Sequence, residues 1–361
     1  MAKAFDTVDH EILLKKLERY GIRGVPLQLF KSYLLNRKHL TRYNGIDSDI
    51  QVLNIGVPQG SILGPLLFLL FINDLPKITK FNVKLFADDT FLSLQGNDIK
   101  TLEKSANSEM KKISRWFSAN KLTLNISKSK FMIIKKGNSK VSKNFVLKYN
   151  GKKMDRCTSY KYLGIHLDEN LNWKNHVKYL CEKLGKMCGI FAKLRHCCGT
   201  DLLKTIYHAL VESHLLYCNL IWGNANERVL EPLFKLQDKI VRIICFVPNI
   251  ETDMKLLYKK LEILDLKLLH KLSTAKFMFK FKNNKLPKSF ENFFKVNTTH
   301  DRYPLRNRNK RDYICEWGKT NHGMKRLQYK GVQLWNAITP TIRNITNIKE
   351  FSKKYKMLLL E

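Results

Sequence analysis

The stretch Val83-Lys84-Leu85-Phe86-Ala87-Asp88-Asp89-Thr90-Phe91-Leu92 decides the reading of this chain. Apolar residues alternate on both sides of an acidic pair, which predicts a strand over 83–87, a tight turn, and a second strand over 90–94. Two adjacent carboxylates flanked by Phe86-Ala87 and Phe91-Leu92 repel each other, and a cation offsets that repulsion. Magnesium takes oxygen ligands, and two such ions about 3.5 to 4 Å apart stabilise both the attacking and the leaving oxygen of a phosphoryl transfer. Asp-Asp is also a common turn dipeptide, so the surroundings must decide between the two.

Upstream, Asp9 is placed to cap a helix carrying Leu13, Leu17 and Tyr20, with Gly21 as its terminator. A second helix starts near Pro26, with Leu27, Phe30 and Leu34 as its buried stripe. Asn44-Gly45 marks a hairpin within 41–53, which leads into Gly56-Val57-Pro58-Gln59-Gly60-Ser61 and a buried helix over 66–75. Downstream, Asp98 opens a long helix with Leu102, Ala106, Met110, Ile113 and Phe117 at helical spacing. Strands are expected at 122–124, 131–134, 145–149 and 160–167. After Trp173 the pattern turns helical, at 177–194, 202–217 and 229–244. From Asn283 the chain is basic and less periodic, and Arg306-Asn307-Arg308-Asn309-Lys310-Arg311 is its densest charge run.

Lysine and arginine number 65 against 31 acids, a formal net charge of +34. The positive charge is interleaved with aromatics along the whole chain, which favours a nucleic acid over a membrane surface as the polyanion partner. The longest apolar run, 62–72, is too short to span a bilayer and is broken by Gly64 and Pro65. With no signal peptide, an intracellular protein of the nucleus or cytoplasm is expected, neither secreted nor in a membrane. The eight cysteines form no CxxC pair and read as reduced packing thiols. Nothing marks a protein partner.

Five boxes now stand in order: Lys3-Ala4-Phe5-Asp6-Thr7-Val8-Asp9-His10, Pro58-Gln59-Gly60-Ser61, Phe86-Ala87-Asp88-Asp89, Asn125-Ile126-Ser127-Lys128-Ser129 and Tyr160-Lys161-Tyr162-Leu163-Gly164-Ile165. Together they resemble the reverse transcriptases, and their wording resembles the jockey-like branch of non-LTR retrotransposons. The resemblance implies an α+β fold: a right-hand polymerase palm of antiparallel sheet with helices over 1–173, an all-helical thumb over 174–282, and a basic C-terminal extension over 283–361, with the fingers missing. It implies template-directed addition of dNTPs to a DNA primer 3′-OH on an RNA template, with Mg²⁺ held by Asp88 and Asp89. Phe5 matches the gate that excludes a ribose 2′-hydroxyl, and Gln59 and Gly60 match the box that meets nucleotide and template. Lys128 matches the lysine that protonates the leaving pyrophosphate, with Lys130 as an alternative register. Tyr162, Leu163 and Gly164 match the primer grip.

One departure bears on activity. The family's third metal-binding carboxylate stands three residues before the lysine of the first box, a position ahead of Met1. Asp6 is six positions further along, roughly 20 Å away in extended chain, and cannot replace it. The two-ion site is therefore expected to be incomplete, and the chain inactive by itself. The alternative is a catalytically dead nucleic-acid-binding derivative or a degenerate copy.

Overall fold

The computed structural model describes residues 1, 3–134, 145–247, 253–296, 313–318 and 320–361. They fall into two compact units, Met1–Tyr160 and Lys161–Glu361. The basic run 306–311 lies outside the described residues.

In the first unit, the Asp9 carboxylate accepts the Ile12 amide (3.0 Å) and opens α1, His10–Arg19, which buries Leu13 and Leu17. Tyr20 caps this helix and is half exposed instead of joining the stripe, and Gly21 follows at φ 94°. α2, Val25–Leu34, has Pro26 in its first turn. The expected pair of strands over 41–53 is two nested antiparallel ladders, which begin earlier. β1 (Arg37–His39) pairs with β4 (Gln51–Leu53), and inside them β2 (Arg42–Tyr43) pairs with β3 (Ile46–Asp47) across Asn44-Gly45, both at positive φ. α3, Leu63–Ile72, starts earlier than expected because the Ser61 hydroxyl accepts the Gly64 amide at 2.9 Å.

β5 (Asn82–Phe86) and β6 (Asp89–Ser93) form the hairpin that the opening stretch predicts. α4, Ile99–Ala119, is capped by Asp98 and buries Ala106, Met110, Ile113 and Phe117. Its interior face packs with Leu13, Leu17, Leu67, Phe68 and Phe71 in one core. No strand forms at 122–124. Lys121 turns left-handed (φ 54°), and the Leu122 amide bonds back to the Phe117 carbonyl (2.9 Å), closing the helix end. Short ladders follow: β7 (Lys130–Phe131) with β10 (Asp155–Arg156), and β8 (Lys148–Tyr149) with β9 (Lys152–Lys153). The described ladders are all two-stranded and β7–β10 runs parallel, so the sheet content is more divided than a single antiparallel sheet.

β11 (Ser159–Tyr162) carries the chain into the second unit, and β12 (Ile165–Asp168) follows after a turn at Leu163 (φ 45°) and Gly164 (φ 81°). The expected single strand over 160–167 is thus interrupted by two left-handed residues. Asp168 is buried and accepts the amides of Asn170, Asn172 and Trp173 at 3.0–3.2 Å, which shapes the entry to α5, Lys174–Leu194. α6 (Thr200–Tyr207), a π turn at His208–Glu212 and α7 (Ser213–Leu216) fill the expected helix over 202–217, and α8 (Asn219–Trp222) follows. α9 (Glu227–Cys245) packs along α5, and α10 (Met254–Leu261) and α11 (Leu266–Lys282) close the core around Leu184, Phe191, Tyr207, Trp222 and Ile240. Beyond 283, where periodicity is weak, α12 (Asn321–Met324) precedes α13 (Leu327–Ala337), α14 (Pro340–Arg343) and α15 (Ile348–Leu360), and the last three form a second core with α11 around Met278, Phe279, Trp335 and Phe351. Among the described residues, no helix is long and apolar enough to cross a membrane.

Candidate active site

The acidic pair sits at the tip of the β5–β6 hairpin. Phe86 pairs with Asp89, so Ala87 and Asp88 make the turn and Asp89 is the first residue of β6. Val83, Leu85 and Leu92 face the core, while Lys84, Phe86, Asp89 and Phe91 share the exposed face. Ala87 has φ 48°, a left-handed conformation that costs an L-residue about 1–2 kcal/mol. Strain of this kind persists where surrounding structure imposes it, and it stands directly before the two carboxylates.

The hairpin is fixed at its base by a residue that sequence reading passes over. Glu109 of α4 is buried and accepts the Thr79 hydroxyl (2.9 Å), the Lys80 amide (2.7 Å) and the Lys112 ammonium (2.7 Å). The Lys112 ammonium, with the Lys80 and Thr79 donors, holds its carboxyl down to about 2 against burial. Polar at a position between Ala106 and Met110, it reads from sequence as a flank of the stripe.

A second group of residues comes together around the Pro-Gln-Gly box. The Val57 amide donates to the Phe5 carbonyl and the Gly56 amide to the Val8 carbonyl, each at 2.7 Å. Gly56 has φ 89°, and a Cβ there would lie 2.9 Å from the Asp6 carbonyl oxygen, so only glycine allows this approach. The Gln59 amide donates to the Asp6 carboxylate at 2.7 Å. The Phe5 ring lies 4.6 Å from that of Phe68 at 35°, half-buried. Gly60, at φ 81°, has nothing within 4 Å of the position a Cβ would take. Phe5, Gln59 and Gly60 are therefore neighbours, with Asp6 as an unforeseen fourth member. The Met1 amine lies 3.4 Å from the Asp88 carbonyl, which brings the start of this segment to the hairpin tip.

In the fourth box the Asn125 side chain accepts the Lys128 amide (3.2 Å) and the Ser127 hydroxyl (2.7 Å) in a turn. Lys130 is paired with Asp155 at 2.6 Å, whereas Lys128 is exposed and meets no acid within 4.0 Å among the described residues. Tyr162, Leu163 and Gly164 lie in the second unit. There the Tyr217 hydroxyl donates to the Leu163 carbonyl at 2.6 Å, and a Cβ on Gly164 would meet the Tyr217 ring at 3.2 Å.

As a metal centre the site is part-built. Asp88 and Asp89 are exposed oxygen donors of the kind magnesium takes, but no group of three or more His, Cys, Asp or Glu side chains converges on a metal position among the described residues.

Residues 1–167 match the family described as reverse transcriptase (RNA-dependent DNA polymerase). The chain is similar to the RNA-directed DNA polymerase from mobile element jockey of Drosophila melanogaster, 28% identical over 274 residues, covering 70% of this chain and 29% of that protein. The jockey polymerase of Drosophila funebris is 27% identical over 271 residues with the same coverage. A retrovirus-related Pol polyprotein from type-1 retrotransposable element R1 4 of Nasonia vitripennis is 30% identical over 171 residues, 42% of this chain and 44% of that protein. The chain thus spans under a third of the length of the jockey polymerases it matches.

Proposed function

We propose that this chain is the palm and thumb portion of an RNA-directed DNA polymerase, with a palm over 1–173, a thumb over 174–282 and a C-terminal extension from 283. Its substrates are dNTPs, a DNA primer 3′-OH and an RNA template, in the nucleus or cytoplasm. The observation that carries the reading is Asp88-Asp89 at the strained tip of a hairpin, in a unit that also packs Phe5, Gln59 and Gly60 together. Divalent magnesium at Asp88 and Asp89 supplies charge neutralisation for the phosphoryl transfer.

The protein's own groups divide the remaining work. Phe5, steadied against Phe68, presents a planar edge that excludes a ribose 2′-hydroxyl. Gln59 spends one N–H on Asp6 and keeps its carbonyl and second N–H for the nucleotide. Gly60 leaves its backbone open to close approach. Lys128 delivers a proton to the departing pyrophosphate. Tyr162, Leu163 and Gly164 hold the primer end, supported by Tyr217.

The third carboxylate that the family implies belongs immediately ahead of Met1, and the Met1 amine beside the Asp88 carbonyl puts that position within one residue of the acidic pair. The formal net charge of +34 supports a second reading, a protein that holds primer and template without synthesis. Magnesium-dependent extension of a primed RNA template separates the two. The chain and a form lengthened by one aspartate ahead of Met1 are each compared with their Asp88→Ala/Asp89→Ala variants. Polymerase function gives incorporation in the lengthened form that the double substitution abolishes. Salt-sensitive binding without incorporation in either form selects the holding function.

A further inference from the structure

The second unit contains a convergence of basic groups that no role above uses. Tyr179 of α5 lies half-buried between two lysines: Lys161 of β11 and Lys183, one turn further along α5, each place the ammonium 5.0 Å from its ring centroid. The His166 ring of β12 stands 4.8 Å from the same ring. Neither lysine meets a carboxylate within 4.0 Å among the described residues, although Lys204, Lys235, Lys267, Lys295 and Lys354 of this unit all do. Glu182 lies on the same helix and raises His166 slightly, but pairs with neither lysine.

The field of this group is felt by its neighbours. Burial first, and then Lys161, hold His166 below the usual imidazole range, and burial and Lys183 do the same to His214. Lys183 above all draws the Tyr179 hydroxyl below the usual phenol range. Two ammonium groups brought to one phenol without an acid repel each other, and an anion seated between them removes that cost. With both ammonium groups 5.0 Å from its centroid and the His166 ring at 4.8 Å, the Tyr179 ring is crowded against base stacking, so the available chemistry is that of an oxyanion: two charged donors and a neutral hydroxyl donor.

We infer that Lys161, Tyr179 and Lys183 form a binding site for a backbone phosphodiester of a nucleic-acid strand. The strand is the primer, because Lys161 directly precedes Tyr162-Leu163-Gly164; this assignment of the strand rests on the polymerase reading, whereas the phosphate site rests on the convergence itself. The phosphate lies next to the turn that Tyr217 braces, one residue along β11.

The test is the salt dependence of binding by the full chain, followed by fluorescence anisotropy between 50 and 200 mM NaCl, on an RNA template carrying a recessed DNA primer and on the same RNA without primer. Lys161→Gln/Lys183→Gln is expected to reduce the slope of log affinity against log salt by about 0.7 to 0.9, the value for one lost phosphate contact. Lys161→Arg/Lys183→Arg is expected to keep the slope, and Tyr179→Phe to weaken binding about threefold at unchanged slope, since a hydroxyl carries no charge. An unchanged slope in the glutamine pair overturns the phosphate site. Wild-type binding that ignores the primer overturns the assignment of the strand and the polymerase reading with it, while the glutamine pair still decides the site.

Discussion

Gln59 donates its side-chain amide to the Asp6 carboxylate at 2.7 Å, joining two boxes that lie more than fifty residues apart in sequence. The bond fixes a long, flexible amide at the place where a nucleotide is proposed to sit, and it engages the Asp6 carboxylate. Both side chains are exposed, so the coupling is expected to be about 1 kcal/mol. A double-mutant cycle of Asp6→Ala and Gln59→Ala, read as dNTP affinity in the presence of primed template, should show each single change costing about fivefold and the pair little more. Additive losses would mean that the contact carries no function.

Ala87 is the strained residue of the hairpin turn. Glycine removes the left-handed penalty but loses more chain entropy on folding, so Ala87→Gly is expected to raise stability by about 0.5 kcal/mol. Ala87→Val adds a β-branch at positive φ and is expected to lower it by more than about 1 kcal/mol. Urea midpoints at constant m-value report both changes.

Glu109 ties α4 to the base of the hairpin. Its folded-state value of about 2 is below the unfolded 4.5, so its contribution is full above pH 4.5 and is lost as pH falls toward 2. The drop from 4.5 to about 2 corresponds to roughly 3 kcal/mol, reduced to about 2 because Lys112 is half exposed. Glu109→Gln should flatten the stability profile in that acid window and lower stability at pH 7 by a similar amount.

His176 is buried beside Trp222, and neither ring nitrogen meets a partner among the described residues. Burial, assisted by His166, pushes it down to about 4 from 6.5. The unfolded chain therefore binds more protons between these values, so this contribution is full above pH 6.5 and is lost as pH falls to 4, by about 3 kcal/mol. His176→Phe should remove the slope between pH 4 and 6.5 and leave the Glu109 window below it intact.

Much of this site is legible in the sequence because its chemistry is local. Asp88-Asp89 announces itself through the alternating flanks that make β5 and β6, Asn44-Gly45 through its turn, and Asp98 through its cap. What escaped depends on contacts between distant residues. Glu109 reads as a solvated position until its partners at Thr79 and Lys80 are known, and Asp6 acquires meaning only from Gln59. The expected strand over 160–167 conceals a break because leucine is an unusual residue at positive φ, and Tyr217, which braces that break, lies far along the chain. The weak periodicity after 283 hides α13, α14 and α15 because a few large anchors, Trp335 and Phe351 among them, carry their packing.

Asp88 and Asp89 are proposed to hold a divalent cation together. Manganese binding, followed by electron paramagnetic resonance on the chain with primed RNA template and dNTP, tests this most directly. The expected result is bound Mn²⁺ that Mg²⁺ displaces and that Asp88→Asn/Asp89→Asn abolishes with the fold intact. Manganese bound equally well by the double variant would contradict it.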